Sequence, residues 1–153
     1  MHTTTRWTLA TLCTVTLACA TNPGAANPGA AVNAGEHGAE ATIAQVYFWR
    51  AKPGMQADYE RYIRDVAEPI DREAQRAGAF VAVTTHAASD TTLPWTHMRV
   101  FLLKDSTQLR GLGAALSAAG ARLEPDSVRR RQQGEYSATL RDRVGGTVTR
   151  IVR

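Results

Sequence analysis

The chain has few of the residues on which recognisable active sites depend. Cysteine occurs only twice in 153 residues, at Cys13 and Cys19, and histidine occurs four times. The sequence holds no G-x-S-x-G, C-x-x-C, H-E-x-x-H or phosphate-loop motif. These absences remove any motif-based assignment to the serine hydrolases, dithiol oxidoreductases, zinc peptidases or P-loop nucleotide hydrolases.

The sequence also has no apolar run of the about 20 residues that a membrane-spanning helix needs. Residues 8–20 are apolar apart from threonines, follow Arg6, and end in the small-residue site A-C-A at 18–20. A basic start, a short apolar stretch and small residues at its end predict a secretory signal peptide over residues 1–20. We therefore expect a periplasmic or secreted protein.

Cys19 admits two interpretations. If cleavage follows Ala20, both cysteines leave with the peptide. If residues 16–19 act as a lipoprotein box, Cys19 is acylated and anchors the protein to the cell envelope, although Thr16 stands where such boxes usually carry leucine. We expect cleavage after Ala20, with the lipoprotein as the alternative. A disulfide is excluded in both cases because Cys13 is lost.

The rest of the chain divides by composition. Residues 21–41 are rich in Ala, Gly, Asn and Pro and contain NPGAA twice, which predicts a flexible linker. Residues 42–153 are enough for one domain with one hydrophobic core.

The charge is basic and concentrated near the end of the chain. Arginine outnumbers lysine 16 to 2, the formal net charge is +4, and residues 122–153 hold eight arginines against four acidic residues. Such a segment favours contact with an anionic membrane surface, or is simply a solvated helix face at residues 129–131. We expect no nucleic-acid binding, because an exported protein rarely meets nucleic acid.

Hydrophobic periodicity predicts the element order β-α-β-β-α, followed by a polar helix and a final strand. Helices are expected to begin at Met55, where Pro69 kinks and Gly78 ends the helix, and after a cap at Asp105 or Ser106. A third, polar helix is expected over residues 126–143. The predicted strands cover residues 43–51, 79–87, 95–104 and 145–153.

This order is the split βαβ, ferredoxin-like arrangement, an α+β fold with an antiparallel sheet, helices on one face and an extra C-terminal helix. With VYFWRAKPG leading into a helix, and a histidine in each of the second and third strands, residues 42–153 resemble the dimeric α+β-barrel superfamily. The resemblance implies a homodimer whose two sheets close into one barrel. Members include cofactor-free monooxygenases, small-acid isomerases, haem-handling enzymes and domains of no known activity. No family motif matches, so no catalytic residue is carried over.

Strand alternation separates two faces of the predicted sheet. One is small and apolar, and we expect it to pack against the helices. The other mixes aromatic and polar groups, which is typical of a small-molecule pocket, provided that His86 lies opposite Trp95. Its aromatics, with Phe80 and Phe101, also predict dimerisation through that face. The ligand-binding candidates are Gln45, Tyr47, Trp49, Thr84, His86, Trp95, His97 and Arg99.

We expect these residues to bind a small aromatic or acidic molecule, with Arg99 on a carboxylate. One alternative is a cofactor-independent monooxygenase or isomerase that uses His86 or His97 as its base. Another is an envelope-associated interaction module. No cofactor and no metal site is predicted, because only His37, His86 and His97 follow the signal peptide and they are dispersed.

Overall fold

The structure is a computed structural model that describes residues 40–152. The predicted signal peptide with Cys13 and Cys19, the linker as far as residue 39, and His37 lie outside this range. The described elements are β1 (Ile43–Ala51), α1 (Gln56–Tyr62), a π-helical segment (Ile63–Ala67), α2 (Glu68–Arg76), β2 (Ala82–Ala87), β3 (His97–Leu103), α3 (Ser106–Leu123), α4 (Ser127–Leu140) and β4 (Arg141–Arg150).

The four strands form one sheet in the order β2-β3-β1-β4, with every neighbouring pair antiparallel. The helices α1 and α2 connect β1 to β2, and α3 and α4 connect β3 to β4. This is the ferredoxin-like split βαβ arrangement with an added C-terminal helix. The predicted fold class is therefore confirmed. No helix between residues 40 and 152 combines the length and apolarity needed to cross a membrane.

Local sequence signals explain where the first helical stretch begins, changes and ends. Gly54 has a φ of 77° and lets the chain turn sharply between β1 and α1. The π-helical segment ends just before Pro69, which has no N–H to donate within the helix. Gly78, with a φ of 78°, donates to the carbonyl of Gln75 at 2.8 Å and ends the stretch after α2.

Aspartate side chains cap both later helices. Asp105 accepts from the backbone N–H groups of Thr107 and Gln108 at the start of α3, as predicted. Asp126 caps α4 in the same way. The polar helix ends at residue 140 rather than 143, because the last three residues of its predicted range already pair with β1 as the start of β4.

The helices cover the face of the sheet that was expected to be open. Phe101 and Leu103 of β3, 2% and 0% exposed, pack with Leu112 of α3 and Ala74 of α2. The prediction that the small apolar side packs against the helices is therefore wrong. The large aromatic side chains of the mixed side fill the space between the sheet and the helices. Two of its polar side chains contact acidic residues of the helices: Arg99 pairs with Asp71, and His97 lies beside Glu60.

The opposite face carries no helix among the described residues, and we call it the open face. Thr84 and His86 on it are exposed, whereas its apolar side chains are buried or half-buried. Trp95, in the β2–β3 loop, joins it through a ring contact with Phe48 at 5.6 Å between centroids. On β1, β2 and β3, the residues of the open face are Ala44, Val46, Phe48, Ala82, Thr84, His86, Met98, Val100 and Leu102. On β4, Gly145, Thr147 and Thr149 lie on the same face.

Candidate functional site

Polar and aromatic side chains meet between the helix-facing side of the sheet and the helices that cover it. We call the group formed by Tyr59, Asp71, His97, Arg99 and Arg141 the inner cluster. These residues come from α1, α2, β3 and the first position of β4. The π-helical segment, which joins α1 to α2, runs past the same region, and such segments occur frequently at functional sites.

Arg99 is anchored by a buried ion pair. Its guanidinium donates to the carboxylate of Asp71, and the two side chains are only 11% and 5% exposed. Burial lowers the pKa of Arg99, but an arginine side chain stays protonated in a protein. The guanidinium also lies 5.3 Å from the centre of the Phe101 ring. Asp71 therefore neutralises the one charge that β3 places under the helices.

His97 is almost completely buried, with 2% of its surface exposed. Its Nδ1 lies 2.9 Å from the hydroxyl oxygen of Thr96, and its ring meets Tyr59 edge to face at 4.7 Å. Burial lowers the pKa of His97, and the carboxylate of Glu60, 3.7 Å from Nε2, offsets part of this effect. The imidazole is thus held neutral at neutral pH.

The guanidinium of Arg141 lies over aromatic rings. Its guanidinium carbon is 3.4 Å from the centre of the Trp49 ring and 5.1 Å from that of Tyr59. Its Nε donates to the hydroxyl of Ser137 at 3.2 Å. Burial raises the pKa of Tyr59, which the nearby Arg141 partly offsets. Within residues 40–152, no carboxylate lies within 4.0 Å of the Arg141 guanidinium, so its charge has no counter-ion there.

Three nitrogen atoms of the inner cluster are shielded from solvent and have no hydrogen-bond partner in the described part of the chain. They are Nε2 of His97, Nε of Arg99 and Nη1 of Arg141. Buried polar groups in native proteins are nearly always paired, so three unpaired ones together indicate a place for a polar ligand or water. The cluster reaches the surface at Trp49, which is half-buried, and at Glu60, whose side chain is 40% exposed.

The candidates predicted from sequence do not share one face. On β3 and β1, five of them lie on the helix-facing side, and two on β2 lie on the open face. Trp95 also lies against the open face, beside Phe48. The five helix-facing candidates are Gln45, Tyr47, Trp49, His97 and Arg99, and the two open-face candidates are Thr84 and His86.

The prediction that all candidates share one face is wrong, because the β2–β3 register differs from the assumed one. His86 lies opposite Met98 rather than Trp95, a difference of three residues. An odd shift exchanges the two faces of a strand. Thr84 and His86 therefore lie on the open face, opposite to the inner cluster, where they hydrogen-bond to each other at 3.1 Å. Their role in ligand binding stays a prediction.

The side chain of Gln45 makes hydrogen bonds within the sheet. Its side-chain amide donates to the carbonyls of Val46 and Thr147, which joins β1 to β4. Tyr47 packs at the edge of the core against Phe101, with 6.0 Å between ring centroids. Of the predicted set, His97 and Arg99 thus belong to the inner cluster, and Trp49 contacts it through Arg141.

Sequence reasoning did not select Tyr59, Asp71 or Arg141. Tyr59 fits the apolar stripe of a helix, and Asp71 fits its solvated face, so neither carries a distinguishing signal. Arg141 lay in the predicted polar helix. The alternation of arginines at 141 and 143 is the period of a strand, and it was the available signal that this helix ends earlier.

Two concavities on the surface are less suited to binding a ligand than the inner cluster. One concavity lies against Arg72, Gln75 and Arg76 of α2, and a second against Gly78 and Gln108. Their polar side chains already have partners: the two arginines pair with glutamates, and both glutamines donate to backbone carbonyls. No group of three metal-ligating side chains occurs within residues 40–152.

Comparison with known proteins supports the fold and leaves the activity open. No protein-family model matches the sequence, and no curated protein matches it. Among solved structures, the chain is similar to HapK from Hahella chejuensis, with a TM-score of 0.51 and 12% sequence identity. The match covers 72% of this chain and 92% of that chain. At this identity the similarity concerns the fold alone.

We predict that Asp71→Asn strongly destabilises the protein. The change leaves the buried Arg99 guanidinium without its counter-charge, which costs about 3–5 kcal/mol when a buried pair is broken. Chemical denaturation measures the free energy of unfolding. Glu135→Gln is the control, because it breaks a pair with Arg131 whose side chains are 68% and 69% exposed, and should cost less than about 1 kcal/mol. Equal effects of the two substitutions would contradict the prediction.

We also predict that His97 makes folding sensitive to acid. Because burial holds the pKa of His97 below its ordinary value of 6.5, the unfolded chain binds this proton more readily than the folded one. Above pH 6.5 the folded state has the full stabilisation that a neutral His97 provides. This stabilisation is lost as the pH falls towards the lowered pKa of His97 in the folded state. Between about pH 7.5 and 5.5, the wild type should lose up to about 1.4 kcal/mol more than His97→Gln.

Guanidinium denaturation at the two pH values measures this difference in unfolding free energy. His86→Gln, at an exposed position, controls for the loss of an imidazole elsewhere in the sheet. The same pH dependence in the wild type and in His97→Gln would show that burial does not hold His97 neutral.

Proposed function

We propose that residues 40–152 form a binding domain for a small acidic molecule, held at the inner cluster between the sheet and the helices. The observation that carries the proposal is the set of three unpaired, shielded nitrogens on His97, Arg99 and Arg141. As expected from sequence, the domain works outside the cytoplasm, as an exported protein or one anchored through Cys19.

The charge of the inner cluster favours an anion. Asp71 neutralises Arg99, whereas Arg141 has no carboxylate within 4.0 Å in the described range. A shielded cation without a counter-ion is costly, and an acidic ligand supplies the missing charge. The guanidinium offers planar donors that match a carboxylate, and its Nη1 makes no hydrogen bond within residues 40–152.

The surrounding side chains favour a ligand with an apolar body. Trp49, Tyr59 and Tyr62 line the region, and Ile63 packs beside them. Aromatic walls with a few convergent polar groups are the usual composition of a small-molecule site. A small aromatic or aliphatic acid combines both requirements.

A second candidate function is catalysis at the same site, as in a cofactor-independent monooxygenase or isomerase. The observation that favours it is His97, whose Nδ1 lies 2.9 Å from the Thr96 hydroxyl, while Nε2 makes no hydrogen bond and lies 3.7 Å from the Glu60 carboxylate. In the tautomer that carries the proton on Nδ1, Nε2 is free to accept a proton from a bound acid. Conversion of a ligand by the wild type that His97→Gln abolishes would select this function over simple binding.

We further propose that a second copy of the chain covers the open face. The face combines Phe48, Met98, Val100 and Leu102 with no helix over them in the described range. The exposed parts of these half-buried side chains are apolar surface, and apolar surface is unfavourable in water by about 25 cal/mol per Å². Phe80 and Phe101, expected on this interface, are core residues at 3% and 2% exposure, so Trp95 and Phe48 supply its aromatic part.

The ligand proposal predicts that the protein distinguishes benzoate from benzamide, which have the same shape and differ in charge. Benzoate should bind about tenfold more tightly, because a charge-assisted hydrogen bond to arginine is lost with the amide. Isothermal titration calorimetry measures both affinities, and Arg141→Gln should remove the difference. Arg131→Gln is the control, since that arginine is exposed and pairs with Glu135. Equal binding of both probes by the wild type would contradict the proposal.

The dimer proposal predicts opposite results for two neighbouring substitutions. Thr84 lies on the open face and Thr85 on the other side of the same strand, and both are exposed. Thr84→Arg places a charge twice in a two-fold interface and should weaken the dimer at least about tenfold. Thr85→Arg should leave it intact. Sedimentation velocity at micromolar concentration measures the dimer, and a wild type that stays monomeric would contradict it.

A further inference from the structure

A β-bulge in β4 decides which side chains face the helices. From Ile43 to Phe48, β1 pairs regularly with β4, and the register then shifts by one residue so that Trp49 lies opposite Arg143. Val144 is the extra residue. Without the shift, Val144 and Asp142 would point toward the helices, since one residue of slip exchanges the faces of a strand. The bulge instead turns Arg143 and Arg141 to that side.

Both arginines then lie on aromatic rings of β1. Arg141 lies over Trp49 at 3.4 Å, and Arg143 lies over Tyr47 at 4.5 Å from guanidinium carbon to ring centre. The two arginines are two residues apart in β4, so their Cα atoms are about 6.6 Å apart and their side chains leave the strand on the same side. A guanidinium that contacts a ring face can still donate N–H groups to an anion.

Neither cation has a carboxylate within 4.0 Å in the described part of the chain. Five other described arginines share this property, whereas Arg122, Arg129 and Arg131 each pair with at least one carboxylate. What distinguishes Arg141 and Arg143 is that they project from the same side of one strand, where their like charges repel one another. An anion that contacts both would offset this repulsion.

Gly146 provides the space that this arrangement needs. A Cβ atom at this position would lie 3.0 Å from Nη2 of Arg143, 3.0 Å from the carbonyl oxygen of Val46 and 3.4 Å from the Tyr47 ring. The absence of a side chain therefore avoids close contacts both with the backbone of β1 and with the guanidinium over the ring. Arg141 is the inner cation, with a shielded Nη1, and Arg143 is the outer, exposed one.

We infer that the ligand of the inner cluster is a dianion, with one acidic group at Arg141 and a second at Arg143. The inference rests on the proposed function and specifies its ligand class: a small molecule with two carboxylates, or other oxyanions, one for each arginine. Arg143 selects the second acidic group, while Arg141 holds the first beside His97.

The test compares terephthalate with its monomethyl ester, which has the same ring and one negative charge fewer. Calorimetry at low ionic strength on the full chain should show about tenfold tighter binding of terephthalate, as expected for one additional charge-assisted contact. Arg143→Gln should reduce this preference to below about threefold and leave binding of the monoester unchanged. Arg131→Gln, which removes the same charge at an exposed site on α4, should retain the tenfold preference.

Each other outcome has a distinct meaning. Equal affinity of the wild type for both probes overturns the dianion inference and leaves the proposed function standing. Binding of neither probe contradicts the proposed function as well. Arg143-dependent binding to vesicles containing phosphatidylglycerol, without a preference between the probes, assigns the two arginines to a membrane surface and overturns the inference.

Discussion

The ion pair between Arg99 and Asp71 is the constraint around which the helix-facing side is arranged. It joins the central strand β3 to α2 at a point where both side chains are almost fully buried. The apolar core is divided there, with one cluster around Phe101 and Leu112 and a second around Tyr59. Charge that is desolvated in this way has to be compensated locally, so polar groups collect on the side of the second cluster. The core therefore has one apolar half and one half that contains the polar and charged side chains of the inner cluster.

Irregular backbone segments position the side chains of the inner cluster. The regular parts of the strands and helices position apolar side chains, whereas the inner cluster lies between the π-helical segment and the bulge at Val144. Each irregularity changes the direction of the side chains that follow it without altering the element order. A ferredoxin-like frame can therefore carry a site at this edge while its topology stays the same. This explains why similarity of fold to HapK conveys no information about the ligand.

The sequence predicted the frame much better than the site. β-branched and aromatic residues predicted β1 with its observed bounds, and a cap at Asp105 or Ser106 was predicted because its signal is local. The register of β2 was missed, since it depends on loop geometry, and an error of three residues exchanged the faces. Arg99 was predicted as a ligand-binding residue, but its ion-pair partner Asp71 comes from a helix, 28 positions away in sequence, and was not predicted. Arg141 depends on a bulge, which interrupts the alternation used to assign faces.

The position of β4 in the chain has a consequence for how the protein folds. β1 is the first strand of the described domain, and β4, which covers its outer edge, is the last. Such pairing of distant segments is slow to form, and until it forms β1 presents an unpaired edge with Tyr47, Phe48 and Trp49 along it. An exposed edge of this kind invites pairing with a neighbouring molecule. The strand that brings the two arginines is thus also the one that protects the nascent sheet from aggregation.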